Sequence, residues 1–306
     1  MTHTLRRSLP IFLCLVVAGI SSSAEFKGDP PHACEYCEGW SKPHEPFRIF
    51  GNTWYVGSAL SSILITSDKG HVLIDGGLTQ TAPQIAANIE KLGFRLADVK
   101  LILNSHTHYD HAGGIAALQR ASGAQVAASP RSKLALERGG PMEDDPQFAF
   151  GPEHNHFPAL KGVRAIRDGE TLRVADLAIT AHFTPGHTPG GTSWTWTSCE
   201  GDRCMSMAYA DSLNSVSAPG FRFTGDATHA SRLPEFEKSI AAVAALPCDI
   251  LLAPHPELID MDARLTTRKQ GDPDERAFFD RDAGKRYAAG ASERLAKRVA
   301  EEHAAK

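Results

Sequence analysis

Residues 106–111 concentrate the side chains that proteins use to bind metal ions. The segment reads His106-Thr107-His108-Tyr109-Asp110-His111 and so contains three imidazoles and one carboxylate. Zinc binds histidine nitrogens and carboxylate oxygens, usually with four ligands. In an extended backbone His106 and His108 project to the same side, which leaves Asp110 and His111 for a second site. The segment therefore predicts two adjacent metal sites, as in binuclear hydrolases.

The surroundings of this segment favour a functional site over a histidine-rich surface loop. It follows an apolar run, Val99 to Leu103, that predicts a strand, and it precedes the pair Gly113-Gly114. A strand that runs into a ligand-bearing loop is where α/β proteins place their sites.

Two further histidines complete the predicted ligand sets. His187 lies in a turn rich in Pro and Gly, residues 184–191, and His255 lies between two prolines directly after an apolar strand. Each histidine alone is only moderately specific, but together with the motif both are predicted ligands. The first site then has three ligands and an open fourth position, as catalytic zinc requires: His106, His108 and His187. The second site has Asp110, His111 and His255. His182, five residues before His187, shows no ligand spacing.

The chemistry of such a centre is hydrolysis by a hydroxide held between two zinc ions. Zinc lowers the pKa of bound water from 15.7 to about 7, so hydroxide forms near neutral pH. One zinc ion can polarise a carbonyl while the other stabilises the leaving atom. Asp110 is the predicted catalytic residue, because it would bind zinc and also orient the hydroxide. Amides, esters, thioesters and phosphoesters all suit this chemistry, so the motif leaves the substrate open.

Composition places the chain among ordinary globular proteins. Its 306 residues are 42% hydrophobic and 22% charged, and the formal net charge of −4 gives no reason to expect nucleic-acid binding. The N-terminus predicts a cleaved signal peptide over residues 1–24, with Arg6 and Arg7 before an apolar stretch too short to span a bilayer. We therefore expect a periplasmic protein. Cys14 follows Leu13 rather than a small residue, so we expect no lipid anchor there. No later stretch is long and apolar enough to span a membrane, so we expect no membrane anchor.

Export to an oxidising compartment permits disulfide bonds. Cys199 and Cys204 flank a turn between two predicted strands, which predicts a bridge across a hairpin. Cys34 and Cys37 form a C-x-x-C that is a small local loop, a redox pair or an accidental pair in an N-terminal arm. Cys248 lies in an apolar run and is predicted to be a buried free thiol.

The hydrophobic pattern predicts an α/β fold, an αββα sandwich of two mixed sheets with helices on both outer faces. We expect residues 25–306 to form a single domain of two pseudo-repeated βα halves. Predicted strands are 47–50, 53–56, 62–66, 72–75, 99–103, 125–128, 163–166, 171–174, 177–182, 192–197, 205–211 and 249–253. One predicted helix begins at Thr79 or Thr81 and ends at Gly93. The other predicted helices are 115–120, 235–246 and 286–302. Residues 138–162 show little periodicity and are either a substrate-facing flap or a plain surface loop.

At this point the sequence resembles the metallo-β-lactamase superfamily, and more closely the class B, subclass three (B3) metallo-β-lactamases. The resemblance covers nearly the whole mature chain. The H-x-H-x-D-H motif alone is typical only of the superfamily. The resemblance includes Phe50 to Gly57 and His71 to Gly76 before the motif. The later segments are those that resemble subclass three: Pro185 to Trp194, Tyr209 to Leu213 and Ala253 to Pro256.

The resemblance implies a monomeric enzyme with two Zn²⁺ ions that opens the β-lactam ring of penicillins, cephalosporins and carbapenems. It implies that Ser212, at the position where other subclasses carry a cysteine ligand, holds a water or the substrate carboxylate. Asn214 and Ser215 either assist Ser212 in substrate binding or are ordinary residues at the end of a strand. Asp75 corresponds to a buried structural aspartate beneath the metal loop. The chain departs from its relatives in lacking a second cysteine near residues 282–285 for Cys248, and a cysteine or glycine near residues 59–60.

Two other functions stay open. The first is a different binuclear hydrolase of the same superfamily, acting on thioesters, lactones or phosphoesters. Such enzymes often bridge both metals with an aspartate, and Asp211 in Ala210-Asp211-Ser212 could play that part. The second is a secreted zinc-binding or redox protein without hydrolytic activity, which the complete ligand sets disfavour.

Overall fold

The computed structural model describes residues 26–227, 229–269 and 277–305. The predicted signal peptide, residues 1–24, lies outside the described residues. Among the described helices, none combines the length and apolar character needed to cross a lipid bilayer.

The first sheet has seven strands that lie in chain order. Neighbouring strands are antiparallel from β1 to β4 and parallel from β4 to β7. Their bounds are β1 Phe47–Phe50, β2 Thr53–Tyr55, β3 Ile63–Ile65, β4 His71–Ile74, β5 Val99–Leu103, β6 Gln125–Ala128 and β7 Arg164–Ala165. Each coincides with a predicted strand to within two residues at either end, because short β-branched runs bounded by Gly and Asn specify them locally.

The second sheet has five strands in the order β12-β11-β10-β9-β8. All its pairs are antiparallel except β11 with β12. Their bounds are β8 Thr171–Val174, β9 Leu177–Phe183, β10 Thr192–Glu200, β11 Arg203–Tyr209 and β12 Ile250–Leu252. Each sheet thus comes from one continuous part of the chain. The proposal that residues 25–306 form a single domain of two related halves stays a prediction.

Alternation along the strands of the first sheet divides its side chains between two cores. Ile63 and Ile65 face the second sheet, whereas Leu64 between them packs on the opposite side against helices. The two sheets are also joined by polar contacts, since the indole nitrogen of Trp196 donates to Oγ1 of Thr53 at 3.0 Å. This arrangement confirms the predicted αββα sandwich.

Helices cover both outer faces. The bounds are α1 Cys37–Trp40, α2 Ala82–Lys91, α3 Tyr109–Ala112, α4 Ile115–Ser122, α5 Pro130–Arg138, α6 Pro152–Asn155, α7 Leu233–Ala244, α8 Met261–Lys269 and α9 Ala283–Ala304. Buried residues of α2, α4 and α5 belong to the core outside the first sheet, and those of α7 and α9 pack with the second sheet. The predicted helices are confirmed, whereas α1, α3, α5, α6 and α8 are not among the predictions.

The segment 138–162 is more ordered than its sequence indicates. It contains a 3₁₀ turn at Phe148–Phe150 and the one-turn helix α6. Helix α5, directly before it, begins with Pro130 at its first turn, and the side chain of Ser129 accepts a hydrogen bond from the Ser132 amide. Proline and an N-cap serine are typical of a helix start, and this signal identifies a helix that apolar periodicity alone does not.

Four of the described cysteines form two disulfides, and one is free. Cys199 and Cys204 form a disulfide between directly opposed residues of β10 and β11, with Cα atoms 4.1 Å apart, which confirms the predicted hairpin bridge. Cys34 and Cys37 form a second, local disulfide. Cys248 is a free thiol, and burial raises its pKa to about 12.

Candidate metal centre

The segment 106–111 follows the end of β5, and Asp75 fixes the backbone there. Asp75 follows β4 with a φ of 61°, in the left-handed region that a non-glycine residue rarely adopts. Its buried carboxylate accepts hydrogen bonds from the Ser105 amide at 2.7 Å, the Ser105 hydroxyl at 2.6 Å and the Tyr209 hydroxyl at 2.8 Å. Burial raises the pKa of Asp75, and these donors oppose that rise. Asp75 therefore lies beneath the loop, where the resemblance places a structural aspartate.

Two glycines let the motif pack closely against the end of β4. The amide of Gly76 donates to the carbonyl of His111 at 2.9 Å. A Cβ atom on Gly114 would overlap the carbonyl oxygen of Gly76. Because neither position tolerates a side chain, the backbone contact sets how deep His111 sits.

His106, His108 and His187 come together as predicted. One ring nitrogen of each lies within 4.8 Å of one ring nitrogen of the others, and all three side chains are buried. We call this group the three-histidine cluster. Nε2 of His106 is buried without a hydrogen-bond partner among the described residues. A buried histidine nitrogen without a protein partner fits the role of a metal ligand.

The second nitrogen of each histidine is held by a neighbour, which fixes the orientation of the ring. Nδ1 of His106 is hydrogen-bonded to Oδ1 of Asp211 at 2.8 Å, and Nδ1 of His187 donates to the Asn214 carbonyl at 2.8 Å. Nε2 of His108 lies 3.2 Å from Oδ1 of Asp145, so Nδ1 is the nitrogen left for a metal. Ligand histidines are usually oriented by such partners.

Asp110, His111 and His255 form a second group, which we call the Asp-His-His cluster. Nε2 of His111 lies 2.9 Å from Oδ2 of Asp110 and 3.2 Å from Nε2 of His255, and the third edge, from His255 Nε2 to Asp110 Oδ2, measures 3.4 Å. Ligand atoms around a tetrahedral zinc ion are about 3.3 Å apart. The three atoms therefore already have the spacing of one face of such a site.

The two clusters are neighbours. The ring centroids of His106 and His111 are 4.3 Å apart, and a ring nitrogen of His106 is also within 4.8 Å of ligand atoms of Asp110 and His111. The residues present therefore fit two adjacent metal ions.

Electrostatics keep two of the three clustered histidines neutral. Burial, followed by repulsion from neighbouring histidines, lowers the pKa of His106 well below its usual value and that of His187 to about 3. Burial would also lower the pKa of His108, but the charge of Asp145 raises it overall. A neutral imidazole offers the lone pair that a metal needs.

Within the Asp-His-His cluster, Asp110 and His255 form an ion pair. Burial opposes ionisation of Asp110, but His111 and His255 hold the pKa of this carboxyl well below its usual range. Burial likewise opposes protonation of His255, but Asp110 and Glu257 raise its pKa to about 9. A cation bound here would balance the charge of Asp110 in place of the proton on His255.

The segment 211–215 runs beside the three-histidine cluster, and its three predicted substrate-binding residues differ in environment. Ser212 is buried, and its Oγ has no partner among the described residues, as is also true of Oδ1 of Asn214. The hydroxyl of Ser215 instead donates to the Arg294 carbonyl on α9 at 3.2 Å. His182 lies apart, hydrogen-bonded to Oγ1 of Thr195 at 2.8 Å.

Sequence reasoning missed the partners that orient the ligands. Asp145 lies in the segment 138–162, far from His108 in sequence, and only the acidic pair Asp144-Asp145 marks its position. Glu257 lies 3.3 Å from Nδ1 of His255, and the ring of Trp40 lies 5.7 Å from that of His255. The N-terminal arm therefore borders the Asp-His-His cluster.

Comparison with known proteins agrees with this geometry. The profile described as the metallo-beta-lactamase superfamily matches residues 57–199. The solved structure of the Rm3 metallo-beta-lactamase is 50% identical, with a TM-score of 0.85, over 89% of this chain and 99% of that one. MEM-A1, described as a subclass B3 metallo-beta-lactamase from a soil metagenome library, is 48% identical with a TM-score of 0.83, over 87% of this chain and all of that one (100%).

Among curated proteins, a "Probable metallo-hydrolase" of Burkholderia pseudomallei (strain 1710b) is 30% identical over 141 residues, 42% of this chain and 45% of that protein. The chain spans about half the length of the curated relatives that it matches. The near-complete overlap with Rm3 and MEM-A1 decides the family. The chain belongs to the metallo-β-lactamase superfamily, and within it resembles the subclass B3 enzymes.

Proposed function

We propose that the protein is a zinc-dependent β-lactamase that hydrolyses the amide bond of penicillins, cephalosporins and carbapenems. Two zinc ions would be held by the two clusters: His106, His108 and His187 at one, and Asp110, His111 and His255 at the other. The observation that carries the proposal is the pair of adjacent clusters, in which five of the six side chains are buried. The chain is also 48% to 50% identical to B3 enzymes over their whole length.

Zinc, when bound, supplies Lewis acidity that brings water ionisation near neutral pH and polarises a carbonyl. Asp110 directs one oxygen, Oδ2, at the Asp-His-His cluster. Its other oxygen would accept a hydrogen bond from a water molecule and so orient it. Because the pKa of Asp110 is held low, the carboxylate stays ionised and able to accept.

Substrate binding would use the segment 211–215. The unpartnered hydroxyl of Ser212 and the amide oxygen of Asn214 are polar atoms buried without partners, so a substrate or water that pairs with them relieves a desolvation penalty. The hydroxyl of Ser215 already donates a hydrogen bond to the Arg294 carbonyl on α9. Ser212 is therefore our first choice for a contact with the substrate carboxylate, and Ser215 the last.

Asp211 distinguishes β-lactam hydrolysis from the other activities of the superfamily. A metal-bridging aspartate would face the free nitrogens of the clusters. Asp211 instead lies against Nδ1 of His106, on the edge of the ring opposite to the free Nε2. This position favours the β-lactamase over a thioester, lactone or phosphoester hydrolase with a bridging aspartate at this residue.

The test is a hydrolysis panel with zinc-loaded protein, one penicillin, one cephalosporin and one carbapenem, each followed by loss of lactam absorbance. We expect turnover of all three, loss of turnover in chelator and its return with zinc. Asp110→Ala should abolish turnover, whereas Asp262→Ala, an exposed carboxylate on α8, should leave it unchanged. Intact lactams beside rapid thioester or lactone cleavage would support the alternative hydrolase, and no cleavage of any substrate would support a zinc-binding protein without activity.

We also propose that the protein is exported to the periplasm after cleavage following Ala24. Two disulfides, Cys34–Cys37 and Cys199–Cys204, support an oxidising compartment. N-terminal sequencing of protein from a periplasmic extract should begin near Glu25, and an uncleaved chain in the cytoplasmic fraction would contradict this.

A further inference from the structure

A second group of charged side chains lies away from the metal clusters, on α9. A cavity of about 240 Å³ opens between α9, Leu251 of β12 and the turn of residues 256–260. Three arginines line it: Arg264, Arg286 and Arg294. None of the six side chains of the two metal clusters contributes to its wall. The cavity is therefore a separate, positively charged feature of the fold.

Carboxylates of the protein balance only part of this charge. Asp280 pairs with Arg264 at 3.1 Å and also with Arg286. The remaining donors of Arg264 bond the carbonyls of Ile259 at 2.8 Å and Ala277 at 3.1 Å. Arg264 is thus fully engaged within the protein, and Asp280 is shared between two cations.

Arg294 has no such partner. Its Nε and Nη2 atoms are buried and donate to no acceptor in the described part of the chain. Asp260, the one carboxylate on the cavity wall, is exposed to solvent and makes no ion pair with Arg294 among the described contacts. Two buried guanidinium nitrogens without an acceptor are unfavourable, so the position calls for an anion from outside the chain.

Gly290 shapes the space beside this guanidinium. Side chains on a helix lean toward its N-terminus, so Arg294 lies back over Gly290, with Arg286 one turn further on. A Cβ atom on Gly290 would sit 3.2 Å from Nη1 of Arg294. Glycine is unfavourable in a helix interior, and at this position it leaves room for Nη1 of Arg294 beside the helix backbone.

We propose that this cavity binds a small oxyanion, a carboxylate, phosphate or sulfate group, held chiefly by Arg294 with Arg286 at its edge. The planar fork of an arginine pairs with two oxygens of such a group at once. A volume of about 240 Å³ leaves room for the ion and some of its water, because a water molecule takes up roughly 30 Å³.

The test is thermal unfolding of the zinc-loaded protein in inorganic phosphate, sulfate or acetate, against chloride at the same ionic strength. We expect at least one oxyanion to raise Tm by a few degrees, with a rise that saturates. The three arms identify which group is preferred. The absence of any rise above chloride would overturn the proposal.

Two variants locate the effect. Arg294→Met removes the anchor and should lose most of the rise in Tm. Gly290→Ala keeps every charge but crowds Nη1 of Arg294, so it should lose part of the rise. Arg173→Met, an exposed arginine on β8, should keep all of it. A rise that persists in both cavity variants would place the anion elsewhere, for example on the zinc ions, and would refute the site. Because turnover is not measured, the result is independent of the proposed substrate.

Discussion

Replacing Asp145 with alanine should weaken metal binding at the three-histidine cluster by about tenfold to a hundredfold. Oδ1 of Asp145 lies 3.2 Å from Nε2 of His108, and the side chain is only 2% exposed. A hydrogen bond to a charged group contributes about 1.5 to 3 kcal/mol, and each 1.4 kcal/mol is roughly tenfold in affinity. The loss should appear at the metal because Asp145 fixes which nitrogen of His108 faces it.

The assay is a competition titration of metal-free protein against a fluorescent zinc chelator, which reports affinity without turnover. Asp145→Asn should lose less than alanine, because its amide oxygen still accepts from His108. Asp144→Ala is the matched control. Asp144, the residue before Asp145, pairs with Arg131 at the surface, so its loss disturbs the same segment without touching the predicted metal ligands. Wild-type affinity in Asp145→Ala, or an equal loss in Asp144→Ala, would refute the positioning role.

The remaining predictions concern stability, each measured by denaturant unfolding. Burial opposes ionisation of Glu302, but its ion pair and amide donors lower its pKa; the stabilisation is present above the unfolded pKa and lost as pH falls through the folded one. Glu302→Gln should thus cost about 2 kcal/mol at pH 7 and progressively less as pH falls below about 4.3, the ordinary pKa of an unfolded glutamate, and a pH-independent cost would contradict this. Replacing Cys204 with serine, which opens the bridge to Cys199, should cost about 2 kcal/mol for so short a loop, and no change would show that the bridge is dispensable. Gly114→Ala should destabilise the protein and weaken zinc binding, because the added Cβ overlaps a backbone carbonyl; an unaltered variant would mean that the metal loop can shift freely.

Much of the fold follows from local sequence signals. In the strands and the long helices, apolar residues recur at regular spacing and the run is bounded by glycine or proline. Their positions could therefore be predicted to within a few residues. Helix α8, Met261–Lys269, has weak apolar periodicity, and α5 begins at a proline in a polar stretch. Their stability comes from packing and capping, which apolar spacing does not reveal.

The candidate site divides in the same way. Five of the six predicted ligand positions follow from loops after strands, and the sixth, His187, from its Pro-Gly turn. The side chains that orient them could not be read from spacing. Asp145 reaches His108 only because the segment 138–162 folds over the cluster, and Asp211 meets His106 across the two sheets. Such contacts depend on the tertiary fold, and a carboxylate far away in sequence gives no local sign of them.

The central claim is that two metal clusters act together in β-lactam hydrolysis. The most direct test is to add zinc to the metal-free protein while following hydrolysis of a carbapenem. We predict no turnover without zinc and a rise that reaches its plateau by two equivalents per chain. Hydrolysis that survives removal of zinc, or an intact carbapenem at every zinc loading, would contradict the account.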